Sequence, residues 1–319
     1  MTEILRQQIP DSLAGKRMDQ ALARMFPQFS RSRLKDWLLA GLVTVDGETR
    51  RPRDSVAGGE AVEVRPEIEP DTRVEAEPVA FPVVYEDEAL IVVEKPAGLV
   101  VHPGAGNRAG TLQSGLLHRY PELDIVPRAG IVHRLDKDTS GLMLVARTVA
   151  AHTTLVRALA GRLIRREYRA VCRGALTAGG TIEAPIDRHP TQRIRMAVRE
   201  GGRPAITHYR VVERFFAHTD VRVRLETGRT HQIRVHFAHI RHPLVGDPVY
   251  GGRLQLPAGA DEALVETLRQ FRRQALHAER LALDHPETGE ALEFHAALPA
   301  DLVALLDALR AHRERVGHG

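Results

Sequence analysis

The run from Gly130 to Gly141, Gly-Ile-Val-His-Arg-Leu-Asp-Lys-Asp-Thr-Ser-Gly, narrows what this chain can be more than any other stretch. Between its glycines it crowds two acids, two bases, a histidine and two hydroxyls, and it then enters the apolar segment Leu142-Met143-Leu144-Val145-Ala146 without a break. A polar loop tied to a buried strand holds a charged side chain still at the edge of a cleft. The same composition also describes a solvated turn ahead of a core strand. The order of the residues, and what the rest of the chain supplies to face them, must separate the two.

The chain has room for more than a loop and a strand. Its 319 residues suit two domains, and 43% hydrophobic content is enough for a real core. A net charge of +4, carried mostly by arginine, and a pI near 9.5 favour polyanionic partners. One cysteine, Cys172, excludes an internal disulfide framework and a cysteine-clustered zinc site; set in Tyr168-Arg169-Ala170-Val171-Cys172, it reads as a buried thiol. No apolar run is long enough to span a membrane, and Met1-Thr2-Glu3-Ile4-Leu5-Arg6 lacks a signal-peptide core, so the expectation is a cytoplasmic protein.

Residues 1–65 read as a small unit. Met18, Ala21, Leu22, Met25 and Phe26 recur at helical spacing, ending near Pro27. A second helix is expected from an N-cap at Ser30 or Ser32, burying Leu34, Trp37 and Leu38 and stopping at Gly41. It leaves Arg31, Arg33 and Lys35 toward solvent. Val43-Thr44-Val45 then leads into an Asp46-Gly47 turn, and Ala61-Val62-Glu63-Val64 reads as a closing strand. Residues 66–80 are acidic and proline-bearing without periodicity, the composition of a linker about which the small unit would move.

Residues 81–319 read as a second domain. Phe81–Tyr85 and Ala89–Val93 form an expected hairpin that ends at Glu94-Lys95-Pro96, where Lys95 reads as a structural strand end. After the Asp136 loop come a helical pattern over 149–163 and a strand over 166–171. Residues 185–206 make a basic excursion with Arg188, Arg193 and Arg195, suited to tracking a phosphate backbone or to solvation alone. A strand follows over 207–212. Leu225–His236 begins as a strand, turns at Gly228 and reads as a helix capped at Thr230. Strands around Leu281 and Phe294 and a helix carrying Leu302, Leu305, Leu306 and Leu309 close the chain.

The order Gly-x-x-His-Arg-Leu-Asp-x-Asp-Thr-Ser-Gly resembles the active-site motif of the pseudouridine synthases that modify large-subunit ribosomal RNA and tRNA. The basic helix followed by Gly-x-Val-x-Val-Asp-Gly is similar to the S4-like RNA-binding module. Further matches are Gly228-Arg229-Thr230-His231-Gln232-Ile233, Gly246-Asp247-Pro248-Val249-Tyr250-Gly251 and Gln274-Ala275-Leu276-His277-Ala278. The resemblance implies an α+β fold, a mixed and largely antiparallel sheet flanked by helices, with an S4-like domain ahead of it. It implies Asp136 as the catalytic residue, Tyr168 lying against the target base, Arg229 pairing with Asp136, and Ile233 lining the uracil pocket. Arg134 would fill the space vacated by the flipped base or hold a phosphate, and Arg31, Arg33, Lys35, Arg188, Arg193 and Arg195 would meet RNA. The partner implied is large-subunit (23S) ribosomal RNA, at a stem-loop known as helix 69, with no membrane and no obligate protein partner.

Turning uridine into pseudouridine breaks a C–N glycosidic bond and makes a C–C bond to the same sugar, with no net oxidation or hydrolysis, so no cofactor and no metal are expected. It needs one ionised carboxylate shielded from water, acting as nucleophile or as base. Three other readings compete. A metal enzyme would use His231, His236, His239 and His242, but on a helix the last three allow only neighbouring pairs to meet. A glycoside hydrolase would use Asp136 and Asp138, which one short loop can hardly set on opposite faces of a sugar. A non-catalytic RNA-binding protein would need no convergence of Asp136, Tyr168 and Arg229.

Overall fold

The computed structural model describes residues 4–27, 29, 31–65, 74–104, 106–192 and 194–317. The chain divides into two compact units, Met1–Arg73 and Val74–Gly319.

The first unit runs β1 (Leu5–Gln8), α1 (Met18–Met25), α2 (Arg31–Leu39), β2 (Val43–Val45) and β3 (Ala61–Val64). The helical spacing read from Met18 onward is α1, which buries Met18, Ala21, Leu22 and Met25. Leu34, Trp37 and Leu38 of α2 are buried with them, and Trp37 packs edge-on against Phe29. Asp46 and Gly47 both take positive φ, which is why an Asp-Gly pair stands there. The strands pair antiparallel in the order β1-β3-β2. Strand β1 gave no signal in the sequence, because Leu-Arg-Gln-Gln lies half in solvent along the sheet edge and carries no apolar alternation.

Of the linker expected over 66–80, residues 66–73 lie outside the described residues, and the remainder is not free. Glu77 donates its amide to the Ser114 carbonyl at 3.1 Å and accepts from the Gly110 amide. Val79 and Phe81 lie so close to Gly115 that a Cβ there would meet them at 2.8–2.9 Å. The second unit therefore starts before residue 81.

That unit runs β4 (Val83–Glu86), β5 (Leu90–Lys95), α3 (Leu112–Arg119), β6 (Ser140–Ala146), α4 (Val149–Ala160), β7 (Arg165–Arg173), β8 (Gly180–Glu183), β9 (Ile186–Arg188), β10 (Met196–Val198), β11 (Ile206–Arg214), β12 (His218–Leu225), α5 (Gln232–His239), α6 (Glu262–Gln270), β13 (Leu276–Asp284), β14 (Ala291–His295) and α7 (Ala300–Gly317). Among the described residues a nine-stranded sheet follows the order β4-β5-β6-β13-β7-β12-β11-β8, with β14 on β13. Its pairings are antiparallel except β13 with β6, as the mixed, largely antiparallel reading requires. The basic excursion over 185–206 is a two-stranded ribbon, β9 with β10.

Alternation along the strands gives the sheet two unlike faces. One buries Met143, Tyr168, Ala170, Cys172, Val221 and Val223 with residues of α3 and α5. On the other, α4 packs against Leu90, Val92, Leu142 and Leu144, while α6 and α7 pack around Val171. Burial pushes the Cys172 thiol up to about 12, the inert buried thiol the sequence suggested.

Candidate active site

The Asp136 loop is fixed from both ends. Gly130 has φ +77, and a Cβ on it would lie 1.9 Å from the Ala146 carbonyl oxygen; at Gly141, φ is +114 and the clash is 2.3 Å with the Ala278 carbonyl. Glycine is required at both by close backbone approach. Between them, His133 Nε2 accepts the Leu144 amide at 3.0 Å and Gln274 donates to Thr139 Oγ1 at 3.0 Å. Ser140 Oγ hydrogen-bonds His277 Nδ1 at 2.9 Å. The Gln274–Ala278 run thus serves as the far wall of the loop.

Lys95 holds the loop from β5, and its strand-end role is structural. The side chain is wholly buried, and its Nζ donates to the carbonyls of Pro96, Leu99 and Lys137 at 2.8–2.9 Å. Burial pushes this ammonium down to about 7, against the pull of Asp138 and Asp136. Three carbonyls for three N–H donors are the arrangement that suits the charged form.

The partner of Asp136 is Arg234, not the expected Arg229. Arg234 Nη1 lies 3.0 Å from Asp136 Oδ2. Its other edge meets Asp247 in two bonds, Nε to Oδ2 at 2.7 Å and Nη2 to Oδ1 at 2.9 Å. Asp247 is fully buried and also accepts the Val249 and Tyr250 amides at 2.9 Å. Burial alone would raise this carboxyl, and Arg234 holds it below the usual range. Arg229 instead donates Nε to the Pro204 carbonyl at 3.0 Å. The cause is local. His231 takes a left-handed conformation, φ 56, so α5 starts at Gln232 rather than at a Thr230 cap, and its first turn carries Arg234 inward while Arg229 stays on the preceding turn. Sequence reasoning missed Arg234, which directly follows the Gly228–Ile233 run, and Asp247, which lies within the Gly246–Gly251 run, because spacing along a turn does not say which arginine points in.

Tyr250 joins this constellation. Arg234 lies over its ring at 5.1 Å and Arg195 at 5.2 Å. The phenol oxygen accepts the Met196 amide of the ribbon at 2.9 Å and stands 2.8 Å from His231 Nδ1. With its proton given to Nδ1, the phenol donates once and accepts once, and His231 keeps its own proton on Nε2, 3.8 Å from Asp136 Oδ1 and outside hydrogen-bond reach.

Tyr168 and Ile233, 5% and 4% exposed, share one apolar cluster with Leu135, the neighbour of Asp136. Burial pushes the Tyr168 phenol up; Arg166 opposes this and Asp136 adds to it, so the carboxylate's field reaches the ring. Arg134 is exposed, and its charge bears on His102 and His231. Arg188 is exposed, whereas Arg195 is half-buried on Tyr250 and held by Gln192 at 3.0 Å. In the first unit Arg31 is committed to Asp19 at 2.7 Å and Lys35 is exposed. Arg193 and the side chain of Arg33 lie outside the described residues. Three histidines of the metal reading have partners: His231 meets Tyr250, His236 contacts Thr207 Oγ1 at 2.8 Å and the Ala184 carbonyl at 2.9 Å, and His242 the Arg173 carbonyl at 2.8 Å, while His239 is exposed. Among the described residues no group of three or more His, Cys, Asp or Glu is placed to hold a metal ion.

Residues 89–239 match the family described as RNA pseudouridylate synthase, and residues 16–62 match the S4 domain. The chain is 58% identical over 307 residues to the ribosomal large subunit pseudouridine synthase D of Xanthomonas campestris pv. campestris, covering 96% of this chain and 93% of the relative. It is 57% identical, at 96% and 94% coverage, to the protein of that name from Escherichia coli K12. Among solved structures it resembles human RNA pseudouridylate synthase domain containing 1, at 26% identity and TM-score 0.54 over 76% of this chain and 98% of the other. The fold is also that of human RNA pseudouridylate synthase domain containing 4, TM-score 0.56 over 72% and 92% of the two chains.

Proposed function

This chain belongs to the RNA pseudouridylate synthase family, and from that premise we propose that it isomerises uridine to pseudouridine in large-subunit ribosomal RNA, at the helix 69 stem-loop, with Asp136 as the reacting carboxylate. The observation that carries the reading is the Asp136–Arg234–Asp247 chain. It supplies the small accessible edge of a largely buried carboxylate to a substrate and a buried, doubly anchored cation to hold that carboxylate in place.

The reaction cleaves the bond from C1′ to N1, turns the uracil, joins C1′ to C5, and exchanges the proton lost from C5 for one gained at N1. Asp136 is needed ionised at the sugar in either of its two roles, nucleophile or base on the ribose. Tyr168 and Ile233 offer the apolar wall against which uracil turns. A base buried there must first leave its stack, at a cost of a few kcal/mol. Arg134 at the rim, Arg188 and Arg195 on the ribbon and the S4 unit are the groups that would offset it through phosphates. Arg229 is proposed as a further phosphate contact rather than as the partner of Asp136.

The test is incubation of the protein, and of Asp136→Asn, with a large-subunit RNA stem-loop, with pseudouridine read by chemical mapping. The wild type is expected to modify the loop and the variant to form none while binding RNA within a few-fold of normal. A variant that fails to fold would make Asp136 structural. Loss of pseudouridine at other positions in RNA from cells lacking the protein would move the target and leave the chemistry.

A further inference from the structure

The sheet face turned away from Asp136 carries α4 over β5 and β6 and carries α6 and α7 around Val171 of β7; toward the β8 edge its described residues leave charged side chains in solvent. Residues of β7, β8, β11 and β12 line a concavity there of about 890 Å³. Its charged lining is Arg165, Arg210, Arg222 and Arg224 against Glu167. An antiparallel sheet commonly shows water a polar face, but that alone calls for mixed charge.

The register shows something else. Arg210 stands directly opposite Arg222, and Arg222 directly opposite Arg169, so three arginines form one row across β11, β12 and β7. Like charges in facing positions destabilise a sheet. The fold answers part of this. Arg169 is gripped by Asp220 at 2.6 Å through two nitrogens, and Arg222 leans on Glu279 at 3.3 Å. Glu167 is itself taken by Arg280 at 2.6 Å. Arg165 and Arg210 are left exposed, with no hydrogen-bond or ion-pair partner among the described residues. An Arg210 that faces Arg222 with no acid of its own, beside an equally unpaired Arg165, marks a surface shaped for a ligand rather than for stability.

We propose that this arginine-lined concavity, with Arg165 and Arg210 its unpaired cations, is a second RNA-binding surface, taking the phosphate backbone of a segment of the substrate RNA distant from the uridine held at Asp136. It rests on the RNA reading above and extends it to the opposite face. Guanidinium groups of this kind pair phosphates in two bonds, and the concave floor admits a strand of backbone. An RNA long enough to pass round the domain reaches both faces; a short stem-loop reaches only the cleft.

The experiment compares the full chain with Arg165→Glu/Arg210→Glu on two RNAs, the isolated stem-loop and a large-subunit RNA fragment several times longer. On the longer RNA the variant is expected to bind at least tenfold more weakly. Its dependence of log K on log salt should be shallower by about 0.7–0.9 for each lost contact. On the stem-loop, affinity and pseudouridine yield are expected to stay unchanged. Thermal stability should hold or rise, since Arg210→Glu turns a repulsion with Arg222 into an attraction; a structural role would lower it. Equal affinity and equal salt slope for wild type and variant on the longer RNA would overturn the proposal, including in favour of an acidic protein partner. Absence of pseudouridine from the wild type on either RNA would instead overturn the functional reading. If the variant melts early, Arg165→Gln/Arg210→Gln carries the same comparison.

Discussion

Arg234 bridges two carboxylates, Asp136 at 15% exposure and Asp247 fully buried, and the consequences of losing it are lopsided. Arg234→Met leaves Asp247 charged in the interior with only two amides for company. Such a loss costs about 3–5 kcal/mol, to be read in urea unfolding, and pseudouridine formation is expected to collapse with it. Arg229→Ala gives up one exposed bond to a carbonyl, costing under about 1 kcal/mol, and is expected to leave turnover at saturating RNA within a few-fold. Equal damage from the two would return Arg229 to the centre. Tyr250 acts at one remove, as a positioning residue. Tyr250→Phe keeps the ring under Arg234 and Arg195 but frees His231 Nδ1, so kcat is expected to fall about tenfold with KM little changed. Tyr250→Phe/His231→Gln should be no worse than the poorer single variant, because groups in one chain do not add; simple additivity would separate them.

At the scale of the element, the loop before β6 and strand β12 each carry a buried histidine that must stay neutral. Burial, with Arg166 adding to it, pushes His133 down to about 3, and its Nε2 lone pair receives the β6 amide of Leu144. His218 on β12 is pushed to about 4 by burial and by Arg173. Both have folded pKa values below the unfolded value of about 6.5, so the unfolded chain binds more protons once the pH drops below that value. Their contribution is complete above pH 6.5 and is lost on acidification. From pH 6.5 to 4.5 unfolding free energy is therefore expected to fall, approaching about 1.4 kcal/mol per pH unit for each histidine, before most carboxylates titrate. His133→Asn should flatten that slope by one proton; an unaltered slope would assign it elsewhere.

For the whole molecule, the first unit has its own core, built from residues between Ile9 and Val64. Deleting residues 1–73 is expected to weaken RNA binding and lower the salt slope while the remaining unit keeps its activity on saturating stem-loop. An unchanged slope would remove the S4 unit from the RNA interface.

The sequence by itself determined what local chemistry can encode. Alternation marked the long strands, helical spacing marked α1, α2 and α7, Asp46-Gly47 marked its turn, and an ordered string of residues marked the Asp136 loop and, through it, the family. Those signals are short-range, because a strand's two faces and a turn's φ are set within a few residues. Tertiary structure alone decided which groups meet. The parallel pairing of β6 with β13 joins Ser140 to His277 across most of the domain, and the left-handed step at His231 selects Arg234 over Arg229. The facing of Arg210, Arg222 and Arg169 exists only once three strands take their register. Pairings of that kind depend on the geometry of distant backbone, which no spacing along the chain records.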